Sequence, residues 1–244
     1  MSTQTQAKQW LATPLGTHLK QRELALFDEA VADVFGFNAV QIGMLELDLL
    51  RNARMPFRVR ADVHAGEVRL LESQLPFLNN SVDLLLLPHA LDFSAEPQQT
   101  LRECERILVP EGHLVLTGFN PLSLWGARRL LARRQGYPWQ GNFFSLLRIK
   151  DWLALLGLEL VSVRMAQHAP PLASPLWRQR FAWMDSAGPR CWPMMGGIYC
   201  IVAKKRVLGM RVIRPQWQKS KLKAGLVATP SPRLDHQRNS EPDE

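Results

Sequence analysis

The sequence predicts an α/β fold, a doubly wound parallel sheet with helices on both faces. Three observations carry this reading. Val82-Asp83 runs into four successive leucines, Leu84 to Leu87, the mark of a strand buried on both faces, as strands of a parallel sheet are. From Val82 to Gly118 a strand, a helix, a tight turn and another strand follow one another, the form of a right-handed crossover between parallel neighbours. Strand and helix patterns then alternate along the rest of the chain.

Residues 17–35 read as an amphipathic helix: Leu19, Leu24, Phe27, Val31 and Val34 recur at helical spacing, and Gly36 supplies a stop. The preceding Trp10 to Gly16 reads as a loop folded back on the domain. Ala39 to Gly43 is a short apolar strand ending on glycine, Phe57 to Asp62 alternates with period two, and Val68 to Leu71 is a weaker strand. After the leucine strand, closed by Pro88, Ser94 is placed to cap a helix. Pro97 sits in its first turn, and Leu101, Cys104, Ile107 and Leu108 form its apolar face. Pro110-Glu111-Gly112 reads as the turn into the strand His113 to Gly118. Arg128, Arg129, Arg133 and Arg134 flank leucines in a basic helical segment that reads as a phosphate- or anion-binding face or, more plainly, as a solvated one. A helix ending near Leu156, a strand from Leu158 to Met165, a Pro- and Trp-rich insertion and a last strand from Gly196 to Ala203 complete the pattern.

The chain has 244 residues, 46% hydrophobic and 21% charged, enough to bury a core without disulfides or metal. Its three cysteines, Cys104, Cys191 and Cys200, are too few and scattered for a disulfide framework or a metal knuckle, and read as small buried hydrophobes. No apolar run has the length of a membrane span and the N-terminus lacks a signal-peptide core, so a cytoplasmic location is expected. Of the net charge of +8, six units fall after Ala203, in a segment rich in Pro, Gln, Ser and Lys. Residues 1–16 thus read as a lead-in, 17–206 as the domain, and 207–244 as a basic tail expected to be largely disordered. Such a tail can make weak contact with nucleic acid or acidic lipid, or simply keep a protein in solution. No Ser-His-Asp arrangement, metal-ligand cluster or Walker loop is present.

Ligands of an open parallel sheet bind beyond the carboxyl ends of its strands. The residues to examine are therefore Gly43, Asp62, Leu71 to Ser73, Leu87 to His89 and Gly118 to Asn120. Gly43 and Asp62 have the spacing of a close-approach glycine and a ribose-binding acid, although turn glycines and strand-ending aspartates are also common for structural reasons.

A longer pattern resembles a known family. Leu75-Pro76-Phe77-Leu78-Asn79-Asn80-Ser81-Val82-Asp83 is similar to the "LPF-x-x-x-SFD" segment of class I S-adenosylmethionine-dependent methyltransferases of the type 11 kind. Leu101 to Leu114, reading LRECERILVPEGHL, is similar to that family's "LREAxRVLxPGGxL". Gly118 to Gly126 and Gly196 to Tyr199 resemble a bacterial branch of it. The resemblance spans roughly Leu24 to Arg206. It implies a seven-stranded sheet of order 3-2-1-4-5-7-6 with the last strand antiparallel, S-adenosylmethionine as cofactor, and a small-molecule methyl acceptor. Carried over by position, Gln41 and Gly43 fall in the methionine-binding loop, Asp62 near the ribose, and Leu87 to His89 where adenine and substrate meet the fourth strand; the adenine-side acidic position aligns with Leu71, with neighbouring Glu72 as its substitute if the strand shifts by one.

The first motif departs from the family's acid followed by Gly-x-Gly-x-Gly. It reads Gln41-Ile42-Gly43-Met44-Leu45-Glu46-Leu47, with glutamine for the acid and leucine for two glycines. Leu45 and Leu47 are expected to crowd the cofactor, which motivates an alternative: a methyltransferase-fold scaffold or regulatory protein without cofactor binding. His89 is the candidate catalytic residue, as substrate-orienting group or general base; a loop histidine bonded to nearby backbone is the plainer reading. Asp92 and Glu96 read as substrate contacts or helix-entry residues, and Asn120 as a substrate contact or turn former. Trp177, Phe181, Trp183 and Trp192 read as an apolar lid over the cleft or as packing of an inserted helix.

Overall fold

The computed structural model describes residues 3–131 and 135–206. Two helices open the chain, α1 (Thr3–Leu11) and α2 (Pro14–Val31). They replace the loop expected over residues 10–16: Thr13 caps α2 by accepting the Gly16 N–H at 3.1 Å, and Pro14 occupies its first turn. Strands β1 (Asn38–Ile42), β2 (Phe57–Asp62), β3 (Val68–Arg69) and β4 (Val82–Pro88) follow. A short helix α3 (Ala90–Phe93) precedes α4 (Pro97–Ile107) and β5 (Leu108–Phe119). Then come α5 (Leu124–Leu131), α6 (Leu146–Leu155), β6 (Leu158–Ala166), α7 (Pro175–Phe181), α8 (Trp183–Cys191), a 3-10 turn (Pro193–Met195) and β7 (Ile198–Lys205).

The seven strands form one sheet of order β3-β2-β1-β4-β5-β7-β6, as the resemblance implies. β1 pairs in parallel with β2 and β4, and β4 with β5; β7 runs antiparallel between β5 and β6. The turn expected at Pro110-Glu111-Gly112 is absorbed into β5 as an irregularity. Val82 pairs with Leu108 but Leu84 with His113, and Glu111 takes the left-handed φ of 66° that the extra residues demand.

The leucine run of β4 shows why the sheet is covered twice. Leu85 and Leu87 join Leu101, Cys104, Ile107, Ile149 and Leu153 under α4 and α6, while Leu84 and Leu86 join Phe27, Val31, Leu47 and Leu49 under α2. Alternation along one strand sends successive side chains into two cores. A third cluster, with Leu15, Leu19, Phe119, Trp125 and Trp139, closes the end of the sheet near the start of α2.

Candidate functional site

The carboxyl ends of β1, β2 and β4 open into a cavity of about 440 Å³, lined among others by Gly43, Asp62, Glu72 and His89, with Glu46, Phe93 and Tyr137 around them. That volume suits a drug-sized ligand. Four of the six residues singled out from the sequence thus come together there. Gln41 and Leu87 do not line it: Leu87 is fully buried beneath α4 and α6, and Gln41 has a different task.

The Gln41 amide is completely buried and clamps the loop that follows β1. Its Nε2 donates toward the carbonyls of Gly43 (3.1 Å), Met44 (3.2 Å) and Leu47 (2.8 Å), and its Oε1 accepts the Leu49 N–H (3.1 Å). The clamp turns the loop so that Leu47 and Leu49 enter the core below α2. Leu45 lies against the β2–β3 loop, its Cδ1 within 3.3 Å of where a side chain on Gly66 would begin. Neither Leu45 nor Leu47 lines the cavity, so the crowding expected from the sequence does not occur. Gly43 faces it with φ 84°, and a Cβ built there meets nothing within 4 Å. The backbone is therefore open to close approach at this position.

On the β2 side, Asp62 Oδ1 accepts the His64 N–H at 3.0 Å, which fixes the carboxylate at the rim. Glu72 faces the cavity, while Leu71 is 59% exposed and outside it. Burial raises the Glu72 pKa, repulsion from Asp62 adds to this, and a hydrogen bond with Ser94 opposes it, leaving a value of about 7. Glu46, Asp62 and Glu72 contribute carboxylates to the lining, and among the described residues no lysine or arginine does.

At the β4 end, His89 takes a left-handed φ of 51°. Both ring nitrogens meet buried carboxylates: Nδ1 lies 2.7 Å from Asp92 Oδ2, and Nε2 bonds Glu23 Oε1 from α2. Asp92 Oδ2 also accepts the Phe119 N–H at 2.9 Å, and Phe119 stacks on the imidazole at 4.0 Å. Burial by itself pushes the His89 pKa down, but the Glu23 and Asp92 carboxylates outweigh it and lift it to about 9. The two carboxylates favour the doubly protonated ring, which has no free lone pair with which to act as a general base, and the ring is not bonded to nearby backbone. Tyr137 completes this end. Its hydroxyl is buried with no hydrogen-bond partner among the described residues, as are Glu23 Oε2 and Asp92 Oδ1. Its pKa is raised by burial and then by Glu23, Asp92 and Glu46.

Residues 20–116 match the family model Methyltransf_11, described as Methyltransferase domain. The chain is 31% identical over 201 residues to the Escherichia coli (strain K12) protein YafS, described as uncharacterized, covering 77% of this chain and 76% of that one. The chain belongs to the class I methyltransferases. A shorter stretch of this methyltransferase, 82 residues, is 44% identical to malonyl-[acyl-carrier protein] O-methyltransferase 1 of Coxiella burnetii, covering 34% of this chain and 28% of that relative. Its fold is similar to the methyltransferase solved with the Haloferax volcanii Trm112 methyltransferase activator, with a TM-score of 0.58 at 15% identity, covering 85% and 99% of the two chains.

Other candidates from the sequence prove structural. Asn120 Nδ2 donates to the carbonyls of Met194 and Gly196, and its Oδ1 accepts the Leu122 N–H, tying the loop after β5 to the turn before β7. Asp92 is buried with His89, and Glu96 is the exposed N-cap residue of α4, where Ser94 Oγ accepts the Glu96 N–H from outside the helix. Arg129 is buried rather than solvated: its Nε donates to the Trp139 carbonyl and its guanidinium lies over Phe143. Arg133 and Arg134, and the basic tail 207–244, lie outside the described residues. Trp177, Phe181, Trp183 and Trp192 do not line the cavity, so they form no lid over it here. Glu23 and Tyr137 escaped sequence reasoning. Glu23 left one signal, a charge at the helical spacing of Leu19 and Phe27 on the apolar face of α2.

Proposed function

We propose that the chain is an S-adenosylmethionine-dependent methyltransferase whose cofactor occupies this cavity, with a small-molecule acceptor entering at its His89 and Tyr137 end. The observation that carries the reading is the cavity itself, open at Gly43 and walled by carboxylates. A lining with Glu46, Asp62 and Glu72 and no lysine or arginine among the described residues suits a ligand of net positive charge. When bound, the cofactor supplies a methyl group already activated on a sulfonium.

The protein's part is to hold and exclude. Asp62 presents a carboxylate fixed by the His64 amide to ligand hydroxyls. Glu72 accepts from amino or hydroxyl donors when ionised, and the Gly43 backbone lets a ligand lie against the chain. Phe93 and Tyr137, stacked at 4.8 Å, present an aromatic wall against which water is excluded and an acceptor aligned. His89, held between Glu23 and Asp92 and stacked on Phe119, acts here as a positioning residue at this end of the cavity. With Leu45 and Leu47 turned away, the crowding that motivates a non-catalytic scaffold is absent.

The test is thermal unfolding with added S-adenosylmethionine, expected to raise the midpoint as ligand exceeds its Kd. Gly43→Ala, strained at φ 84° and projecting into the cavity, is expected to lose that shift with a stability cost of about 1–2 kcal/mol. No response of the parent protein to millimolar ligand refutes the reading.

A further inference from the structure

The segment between β6 and β7 is built against the usual logic of an inserted helix pair. α7 buries none of its residues and α8 only Gly188. Leu176 (74% exposed), Trp177 (49%), Trp183 (57%), Met194 (54%) and Met195 (49%) face solvent, and none belongs to the three core clusters. The charges among them are of one sign. Arg178, Arg180 and Arg190 accompany the apolar residues, and Asp185 is the sole acid from Ser174 to Gly197. Asp185 is directed inward, accepting the Ala169 N–H at 3.0 Å and lying 3.9 Å from both His18 and Arg22. Arg180 is held over the Trp177 ring, 5.6 Å from its centroid.

This exposure is anchored. Arg178 bonds the Pro14 carbonyl at the start of α2, and Asn120 holds the Met194 and Gly196 carbonyls. The register also fixes which edge of the sheet carries it. Ala166 of β6 and Phe119 of β5 both pair with Ile198, and Thr117 pairs with Pro88 of β4. The aromatic segment therefore stands at the carboxyl edge, the edge that holds the cavity.

We propose that this edge docks on an anionic lipid surface, with the α7–α8 tryptophans, Leu176 and the methionines entering the headgroup boundary and the arginines pairing with lipid phosphates. Tryptophan is suited to that boundary by its apolar body and polar N–H, and short segments mixing Trp, Leu and Arg bind it in the plane of the membrane. Arg178, Arg180 and Arg190, against the single inward-directed Asp185, favour an anionic surface over a neutral one. Among the described residues no helix is long and apolar enough to cross a membrane, so the docking is peripheral.

The test is flotation of the full chain with vesicles of phosphatidylcholine alone and of phosphatidylcholine mixed equally with phosphatidylglycerol. The parent is expected to float with the anionic vesicles and its tryptophan emission to shift to the blue. The triple variant Leu176→Ser, Trp177→Ser, Trp183→Ser alters only exposed side chains. It is expected to lose affinity about tenfold or more while keeping its denaturation midpoint. Flotation of the variant equal to the parent's overturns the proposal, because the basic tail then suffices. So does a parent that ignores both vesicles, including one captured instead by an acidic carrier protein.

Discussion

Two strand-ending loops meet at the cavity, and opposite chemistry holds them. The loop after β1 is pinned by an uncharged amide: Gln41 spends both polar atoms on four backbone groups. The loop after β4 is pinned by charge, a buried imidazolium between the carboxylates of Glu23 and Asp92. The first arrangement is complete and indifferent to pH. The second depends on protonation and leaves Glu23 Oε2, Asp92 Oδ1 and the Tyr137 hydroxyl without partners among the described residues. One end of the cavity is a finished floor; the other keeps unspent polar capacity beside the space where an acceptor would sit.

The largest effect is expected from breaking the charged clamp. Glu23→Ala leaves the buried imidazolium with Asp92 as its one remaining carboxylate and should cost about 3 kcal/mol in urea denaturation. A cost below about 1 kcal/mol would mean that α2 is not fastened through His89. The pH profile separates this from simple loss of packing. His89 holds its proton more tightly folded than unfolded, so its contribution is complete below the ordinary value of 6.5 and lost as pH climbs through about 9. The parent should therefore lose stability from neutral to alkaline pH, and Glu23→Ala, lacking the carboxylate that lifts the pKa most, should show that loss at lower pH.

The contrast also explains what was legible in the sequence. The leucine run of β4, the crossover to β5 and the strand-ending Gly43 and Asp62 are local patterns, and each stands where the sequence places it. The Gly43 loop was harder, because a glycine-to-leucine change reads as obstruction when side-chain direction is unknown. Direction came from Gln41, whose buried bonds reach residues up to eight positions on. Glu23 and His89 lie 66 positions apart, and only the packing of α2 across the sheet brings them together. Period-based reading marks Glu23 as an anomaly on an apolar face but names no partner for it.

The neutral clamp is best sharpened by restoring the family's acid. Gln41→Glu sets a carboxylate oxygen against three carbonyl oxygens that now receive an N–H. A buried carboxylate with the Leu49 N–H as its one donor should cost about 3 kcal/mol at pH 8 and less at pH 5, where protonation gives it a donor of its own. Denaturation midpoints at the two pH values measure this. Equal stability of variant and parent at pH 8 would mean that the amide is not what shapes the loop, and would reopen the question of where Leu45 and Leu47 turn.

The smallest effect concerns the wall between the two loops. Glu72, with its pKa raised to about 7 by burial and by Asp62, is half ionised at neutral pH. A ligand that donates to its carboxylate, or carries positive charge beside it, binds the ionised form. Between pH 6 and 8 the ionised fraction rises about tenfold, which sets the upper limit on the gain in S-adenosylmethionine affinity read by calorimetry. Glu72→Gln keeps the shape of the wall and removes the titration, so its affinity should stay flat over that range. A slope that survives in Glu72→Gln would assign the pH dependence elsewhere, and the carboxylate would then be a rim charge rather than a ligand contact.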